Sequence, residues 1–431
     1  RVVCECQAYL KDELDKLNPE KPSRIFVSYG PESSFVAPHV IATAKKYIQG
    51  RYSFTRKMRS GKDLLCDLIV HTTPTSEDID KAFQMLENVK LVPNSVCYVC
   101  FSDDAVVAWN IDGSFGWANV DISSCDSSNG PLIFNLVQRV LSNLDGEASF
   151  EYLWQCKQPI KCVNPQDKRE IFKIMFPTCF EGSGTSLTTL LNCIANMLIF
   201  GGLVDQIIAG MTDMLQAIAL GAKSVGHKVT ADHCVDGFGR PVFEKVQYLK
   251  FSPIMGSSKG VKRYYPSRNV GTLCRGLGKV NEDLTPQQVA LTPAEWRVNT
   301  RSQIFNKYIQ GIISGWKHEP SHPLLAGLRD RFLPVDTSSV SESCNKAPTI
   351  VEYTTSFSDV KLDLDSLCRR YDVAPSDFAM LYGMCQELQL GSIISSTVLR
   401  RAMEVDYGMP HRNVQIVEPS FLNNGIPFTI E

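Results

Sequence analysis

CYVCFSDDAVVAWNIDGSFGWANVDISSCDSSNG, residues Cys97 to Gly130, holds five aspartates and no lysine or arginine. Val96–Phe101 and Ala105–Trp109 are rich in aromatic and β-branched residues, as strands are, with Ser102, Asp103 and Asp104 between them. Asn110–Gly116 carries Asp112-Gly113 and Gly116, a second turn signal, and Trp117–Asp121 is a third strand-like run. If Ala105–Trp109 and Trp117–Asp121 pair as a hairpin symmetric about that seven-residue loop, residues whose numbers sum to about 225 face each other. Asp104 then lies opposite Asp121.

Directly opposed residues of an antiparallel pair have Cβ atoms roughly 5 Å apart, where like charges repel. Carboxylates so close raise one another's pKa unless a hard divalent cation holds them ionised. Mg²⁺ takes few protein carboxylates and leaves room for phosphate oxygens, so such a pair suits phosphoryl transfer with two metal ions clamping the attacking and leaving oxygens. The alternative is a pair of solvated turns that happen to be acidic.

A chain of 431 residues, 44% hydrophobic, can bury a large core and favours two or three subdomains. It opens on Arg1 without methionine and reads as a segment of something longer. The most apolar run, Met197–Leu220, is interrupted by Asp205 and Asp213 and reads as a buried helix, so no transmembrane segment is expected. Fifteen cysteines, an odd number without a secretory signal, point to free thiols in a reducing compartment. Cys97-x-x-Cys100 lies on an expected strand, where positions three apart face opposite ways, which disfavours zinc. The net charge of −2 does not mark a nucleic-acid binder, but residues 1–62 hold 12 Lys/Arg against 6 Asp/Glu. Lys157, Lys161, Lys168, Arg169 and Lys173 cluster later. A basic approach to an acidic centre suits an enzyme handling polyanions with metal ions, although solvated helices carry such runs too.

The pattern predicts strands at 24–28 and 64–71 and helices at 36–49, 77–87, 130–144 and 166–175, the last with Pro165 in its first turn. A long helix runs from about Ser186, and the pattern fixes no end for it before Gly221. Residues 225–253 read as extended, with turns at Asp236-Gly237 and Arg240-Pro241; glycine and serine mark 256–271 as a linker, and helices follow at 293–315, 360–370, 375–389 and 393–404. Ser60-Gly61-Lys62-Asp63 lacks the rest of a P-loop.

Glu181 to Asn192, EGSGTSLTTLLN, is a small-residue loop entering an apolar helix. The loop permits close approach of backbone to a ligand, and Thr188 and Asn192, four apart, share a helix face. A glycine-containing helix start with Asn192 capping a neighbour is the plainer reading.

Taken together, Ser183, Gly184, Thr188 and Asn192 in SGxxxTxxxN, Asp121 and Asp126 in D-x4-D, and the triplet Ser102-Asp103-Asp104 resemble motifs B, A and C of viral RNA-dependent RNA polymerases. Here C precedes A, as in the permuted polymerases of permutotetraviruses and birnaviruses. Lys11 with Arg24 resembles motif F, Thr230–His233 motif D with His233 near the position of the usual lysine, and Tyr248–Phe251 motif E; the likeness covers about residues 8–254.

The resemblance implies an α+β right-hand fold with a permuted palm, an antiparallel sheet flanked by helices. Its domains would be a fingers portion at 1–90, a palm at 91–254 with a fingers insertion near 130–180, and a thumb at 255–431. It also implies template-directed RNA synthesis from ribonucleoside triphosphates in a viral replication complex of the host cytoplasm, with Mg²⁺ or Mn²⁺ as cofactor and an RNA template and primer as partners. Asp103, Asp104 and Asp121 would hold the metals. His233 would be the general acid. Asp126 and Asn192 would read the ribose 2′-hydroxyl. Lys11 and Arg24 would meet the triphosphate, Ser183, Gly184 and Thr188 would line the nucleotide site, and Lys250 would contact the primer. A reverse transcriptase-like palm polymerase, or a non-catalytic viral RNA-binding protein with a structural ion, are the competing readings.

Overall fold

The computed structural model describes residues 6–10, 25–29, 38–123, 125–146, 149, 152, 156–157, 159–163, 169–175, 179, 187–277, 313, 315–332, 351–388, 394–408 and 415–416. The fold is mixed α+β, with helices flanking a sheet. The chain forms two compact units, residues 1–73 with 85–234, and residues 74–84 with 235–431.

The first unit is built on a six-stranded sheet. Its strands are β3 (Gly50–Lys57), β4 (Asp63–His71), β5 (Ser95–Phe101), β6 (Asp104–Ile111), β7 (Ser114–Ile122) and β10 (Val229–His233), in the order β10-β7-β6-β5-β4-β3. Every neighbouring pair is antiparallel except β4 and β5, which run parallel. That one exception follows from chain length: two residues join β5 to β6 and β6 to β7, whereas the β4–β5 crossover includes a helix, Ser76–Asn88. The strands β1 (Cys6–Leu10), β2 (Ile25–Tyr29), β8 (Ile160–Val163) and β9 (Glu170–Ile174) form a separate sheet in the order β2-β1-β8-β9.

Alternation sorts the six-stranded sheet into two faces. Leu64, Cys66 and Leu68 of β4, Val96, Tyr98 and Cys100 of β5, Ala105, Val107 and Trp109 of β6, and Ala118, Val120 and Ile122 of β7 share one core with surrounding helices. Those helices, in chain order, are α1 (Pro38–Ile48), α3 (Cys125–Ser128), α4 (Pro131–Leu144), α5 (Thr188–Ile208) and α6 (Met214–Ser224), the Ser76–Asn88 crossover being α2. In α4 the buried side chains are Ile133, Phe134, Val137 and Leu141, the spacing of one helical stripe. α5 is buried without a break from Leu190 to Asn196. By length and composition alone it could cross a membrane, yet 67% of its most apolar window is buried inside the protein.

The second unit has a three-stranded sheet, β12-β11-β13, formed by β11 (Phe251–Ser258), β12 (Val261–Arg268) and β13 (Lys361–Leu362). Its helices α7 (Val270–Leu277), α8 (Pro323–Phe332), α9 (Leu364–Tyr371), α10 (Pro375–Gln386) and α11 (Thr397–Tyr407) surround a core that includes Trp316, Leu328, Phe378 and Leu399. Buried charges there are paired: Arg268 with Glu319 at 2.5 Å and Arg370 with Asp406 at 2.6 Å. Breaking such a pair strands a charge in the interior, which typically costs about 3–5 kcal/mol.

Three sequence expectations are corrected. Residues 256–271 are no linker: most of them form the β11–β12 hairpin, turned at Lys259-Gly260 with φ of +49° and +81°, so the glycine signal belonged to a tight turn. Glu170–Ile174 is a strand, not part of a helix, because Ile171 and Ile174 are β-branched and the segment pairs with β8. The long helix breaks after Ile208: Gly210 takes φ +96°, and Asp213 restarts the chain by accepting from Gln216 N at 3.0 Å. The helix expected at 293–315 lies almost wholly outside the described residues. Twelve cysteines among the described residues are free thiols.

Two adjacent glycines of α5 make opposite predictions. A Cβ on Gly202 would meet Gly221 O of α6 at 2.3 Å, whereas one on Gly201 would meet nothing within 4 Å. Gly201→Ala will therefore stabilise by about 0.5–1 kcal/mol, and Gly202→Ala will destabilise by about 1–3 kcal/mol, in urea unfolding. In the second unit His322 is buried, and neither ring nitrogen has a hydrogen-bond partner among the described residues. Burial, helped by Arg329, pushes its pKa down from 6.5 to about 3. The unfolded chain therefore binds the proton first as pH falls. Stability present above pH 6.5 will be lost progressively towards pH 3, and His322→Phe will flatten that slope in urea titrations run across the same range.

Candidate active site

The β6–β7 hairpin turns on Asp112-Gly113, whose φ values of +50° and +84° are those of a two-residue type I′ turn. The ladder therefore runs to Ile111↔Ser114, beyond the seven-residue loop expected from sequence. Paired residue numbers along the ladder sum to 225, so Asp104 faces Asp121. Ala105 and Val120, the next residues along, point into the helix-covered core. By alternation Asp104 and Asp121 project together from the opposite face, Asp104 half-buried and Asp121 exposed. Asp112 sits at the far end of the hairpin, paired with Lys62 at 2.6 Å.

Asp103 lies in the two-residue turn between β5 and β6, behind Ser102 at φ +51°. One helix holds that turn. The Ser102 N–H donates to Cys193 Sγ at 3.3 Å, Asn192 Nδ2 donates to Ser102 Oγ at 3.3 Å, and Asn196 Nδ2 donates to Ser102 O at 2.5 Å. Cys193 passes its own S–H to His71 O, and burial pushes its thiol pKa up to about 11, so it stays protonated as the donor requires. Burial holds the pKa of Lys45 on α1 below the usual lysine value.

The nucleotide-reading residues expected on α3 and α5 also converge. Asn192 Nδ2 donates to Asp126 Oδ1 at 3.3 Å, and Asn129 Nδ2 donates to Asn192 Oδ1 at 2.9 Å. Ser128 Oγ lies 3.0 Å from Nδ1 of the buried His227, whose pKa burial lowers. Asn192 thus touches both Ser102, next to Asp103, and Asp126. Thr188, one turn before Asn192, is half-buried at the start of α5.

His233 stands elsewhere. It pairs with Ala118, so its side chain is on the core face, and its ring lies 5.4 Å from that of Trp109. Thr230, not His233, is opposite Asp121. Burial lowers the His233 pKa, against the protonated state a general acid needs. Lys228, just before β10, accepts the Ser123 N–H through its carbonyl at 2.9 Å, and alternation carries its exposed side chain to the face of Thr230 and Asp121. Lys250 belongs to the second unit: it follows Leu249 in a tight turn at φ +65°, with its ammonium 5.4 Å above the Tyr407 ring. Lys11, Arg24, Ser183 and Gly184 lie outside the described residues.

Among the described residues no group of three or more His, Cys, Asp or Glu side chains has the arrangement of a metal site. The opposed pair nevertheless offers oxygen donors alone, on one face, which is the donor type Mg²⁺ takes, with few protein ligands and several positions left to water or phosphate. Sequence reasoning missed Asn129, Asn196 and Lys228. The i, i+4 spacing of Asn192 and Asn196 in an apolar helix was the available signal for one of them.

No family model matches the chain, and no curated protein does. Among solved structures, part of the chain is similar to the RNA polymerase VP1 from Infectious Pancreatic Necrosis Virus, at 12% identity and a TM-score of 0.37. It is also similar to the birnavirus VP1-VP3 complex, at 11% identity and a TM-score of 0.33. Each match covers 57% of this chain and 34% of the other.

Proposed function

We propose that this chain carries the catalytic centre of a viral RNA-directed RNA polymerase, joining ribonucleoside triphosphates to an RNA 3′-hydroxyl on a template. One observation supports it above the rest: three segments distant in sequence meet at Asn192, which hydrogen-bonds both Ser102, beside Asp103, and Asp126. One amide shared between a metal-holding turn and a sugar-reading carboxylate would keep the two at a fixed spacing, which suits nucleotide addition.

Asp103 and Asp121 would hold two divalent cations, Mg²⁺ or Mn²⁺, with Asp104 assisting. When bound, such ions supply charge neutralisation and Lewis acidity at the α-phosphate. Asp126 would accept from the ribose 2′-hydroxyl, while Asn192, whose amide hydrogens go to Ser102 and Asp126, would hold that carboxylate in place; a deoxynucleotide would forgo the bond, at about 1–3 kcal/mol. Lys11 and Arg24 would neutralise the triphosphate, Ser183 with Gly184 and Thr188 would line the nucleotide, and Lys250 would meet the primer. Alternation along β10 favours Lys228 over His233 as proton donor to the leaving pyrophosphate. The work would be genome replication and transcription in a replication complex of the host cytoplasm.

Template-directed extension of an RNA primer tests this directly. Asp103→Asn and Asp121→Asn will each cut nucleotide addition by at least about a thousandfold while circular dichroism stays that of the wild type, as loss of a group aimed at transition-state charge does; full activity in either variant refutes the assignment. Asp126→Ala will narrow the preference for ATP over dATP by about tenfold, in line with one lost buried hydrogen bond. An unchanged ratio removes Asp126 from sugar reading.

A further inference from the structure

Ser102 has three polar groups, and each is held by a residue within one turn of α5. Its amide is bound by Cys193, its hydroxyl by Asn192 and its carbonyl by Asn196, the last at 2.5 Å. Asn196 is fully buried, and its own oxygen accepts from the hydroxyl of Tyr98 on β5 at 2.7 Å. Tyr98 is likewise fully buried and reaches Asn196 from the strand that leads into the turn. The amide orientation is therefore fixed from both ends: oxygen to Tyr98, nitrogen to Ser102.

Burying two carboxamides and a phenol in an apolar helix–sheet contact costs free energy unless every partner is present. A pair of leucines would pack the same space without that cost. What the amides add is direction. Ser102 sits at φ +51°, a backbone region that non-glycine residues visit at a cost and keep only where surrounding structure over-determines it. Released from α5, the turn has other conformations open to it, and Asp103 moves with it.

We propose that Asn196 and Tyr98, with Cys193, are positioning residues that clamp the Ser102-Asp103 turn onto α5 and so set where the Asp103 carboxylate stands relative to Asp104 and Asp121. They touch neither substrate nor cation. The inference rests on the carboxylates being a divalent-cation site, and its test separates the two ideas. Partners one step removed from a metal ligand typically change affinity about 10–100-fold when lost.

The experiment titrates manganese(II) alone into the full chain, reading free Mn²⁺ by electron paramagnetic resonance, with amide hydrogen exchange of the 99–106 segment measured on the same samples. Asn196→Leu will raise the Mn²⁺ concentration for half-occupancy about tenfold or more and accelerate exchange at Ser102 and Asp103. Tyr98→Phe, which conserves volume, will shift both in the same direction by a smaller factor, and it serves where Asn196→Leu fails to fold. Asn110→Ala controls for lost stability: Asn110 is buried and bonds Val89 O and Lys90 O at the other end of the hairpin. It will leave Mn²⁺ affinity unchanged. Variants of Asn196 and Tyr98 that bind Mn²⁺ like the wild type, or weaken it no more than Asn110→Ala, overturn the clamp and leave the proposed function standing. A wild-type chain whose Mn²⁺ binding does not respond to Asp103→Asn overturns the proposed function, and the clamp's purpose with it.

Discussion

The register of one hairpin is the constraint on which the site depends. Asp112-Gly113 closes β6 onto β7 in two residues, and a slip of one residue would send Asp121 to the core face while Asp104 stayed outside. The core enforces the choice. Ala105, Val107, Ala118 and Val120 are buried against helices, so a slipped strand would expose that row and bury carboxylates in its place. Burying each apolar side chain of this size contributes on the order of 1–3 kcal/mol. The acidic pair is thus held in opposition by the apolar residues that alternate with it.

α5 does two unlike jobs along one length. Its apolar residues make it the centre of the first unit's core, which is why it is long and apolar enough to pass for a membrane span while being mostly interior to the protein. Its Asn192 and Asn196 interrupt that surface with amides that are buried and bonded, and they meet the β5–β6 turn. The same helix approaches α6 closely only because Gly202 and Gly221 have no side chains at the crossing. Packing on one side therefore fixes the position from which the other side reaches the turn.

Much of this was legible in the sequence, and the reasons for success and failure are physical. The Asp104–Asp121 pairing could be read because the strand-like runs flanking Asp112-Gly113 place the hairpin's centre to within a residue, and the two-residue turn sets it there. Asp126 and Asn192, named together through motif resemblance, are joined by a hydrogen bond. The face of His233 was not legible: it depends on the parity of a strand far along the chain, and only its pairing with Ala118 settles that. The β11–β12 hairpin was mistaken for a linker because its glycines and serines mask a ladder of eight paired positions. Ser102's grip was hidden as well, since two of its three bonds use backbone atoms that carry no sequence signal.

The division of the molecule has a consequence for its synthesis. Residues 74–84 belong with the segment from 235 onward, while the residues on both sides of them belong to the first unit. As the chain leaves the ribosome, those eleven residues emerge early and must wait until residue 235 and its successors appear before their companions exist. Such long-range closure is slow, because loop entropy is lost before any contact repays it. The second unit therefore cannot close until the chain beyond residue 235 has emerged, because part of its backbone lies in the earlier segment.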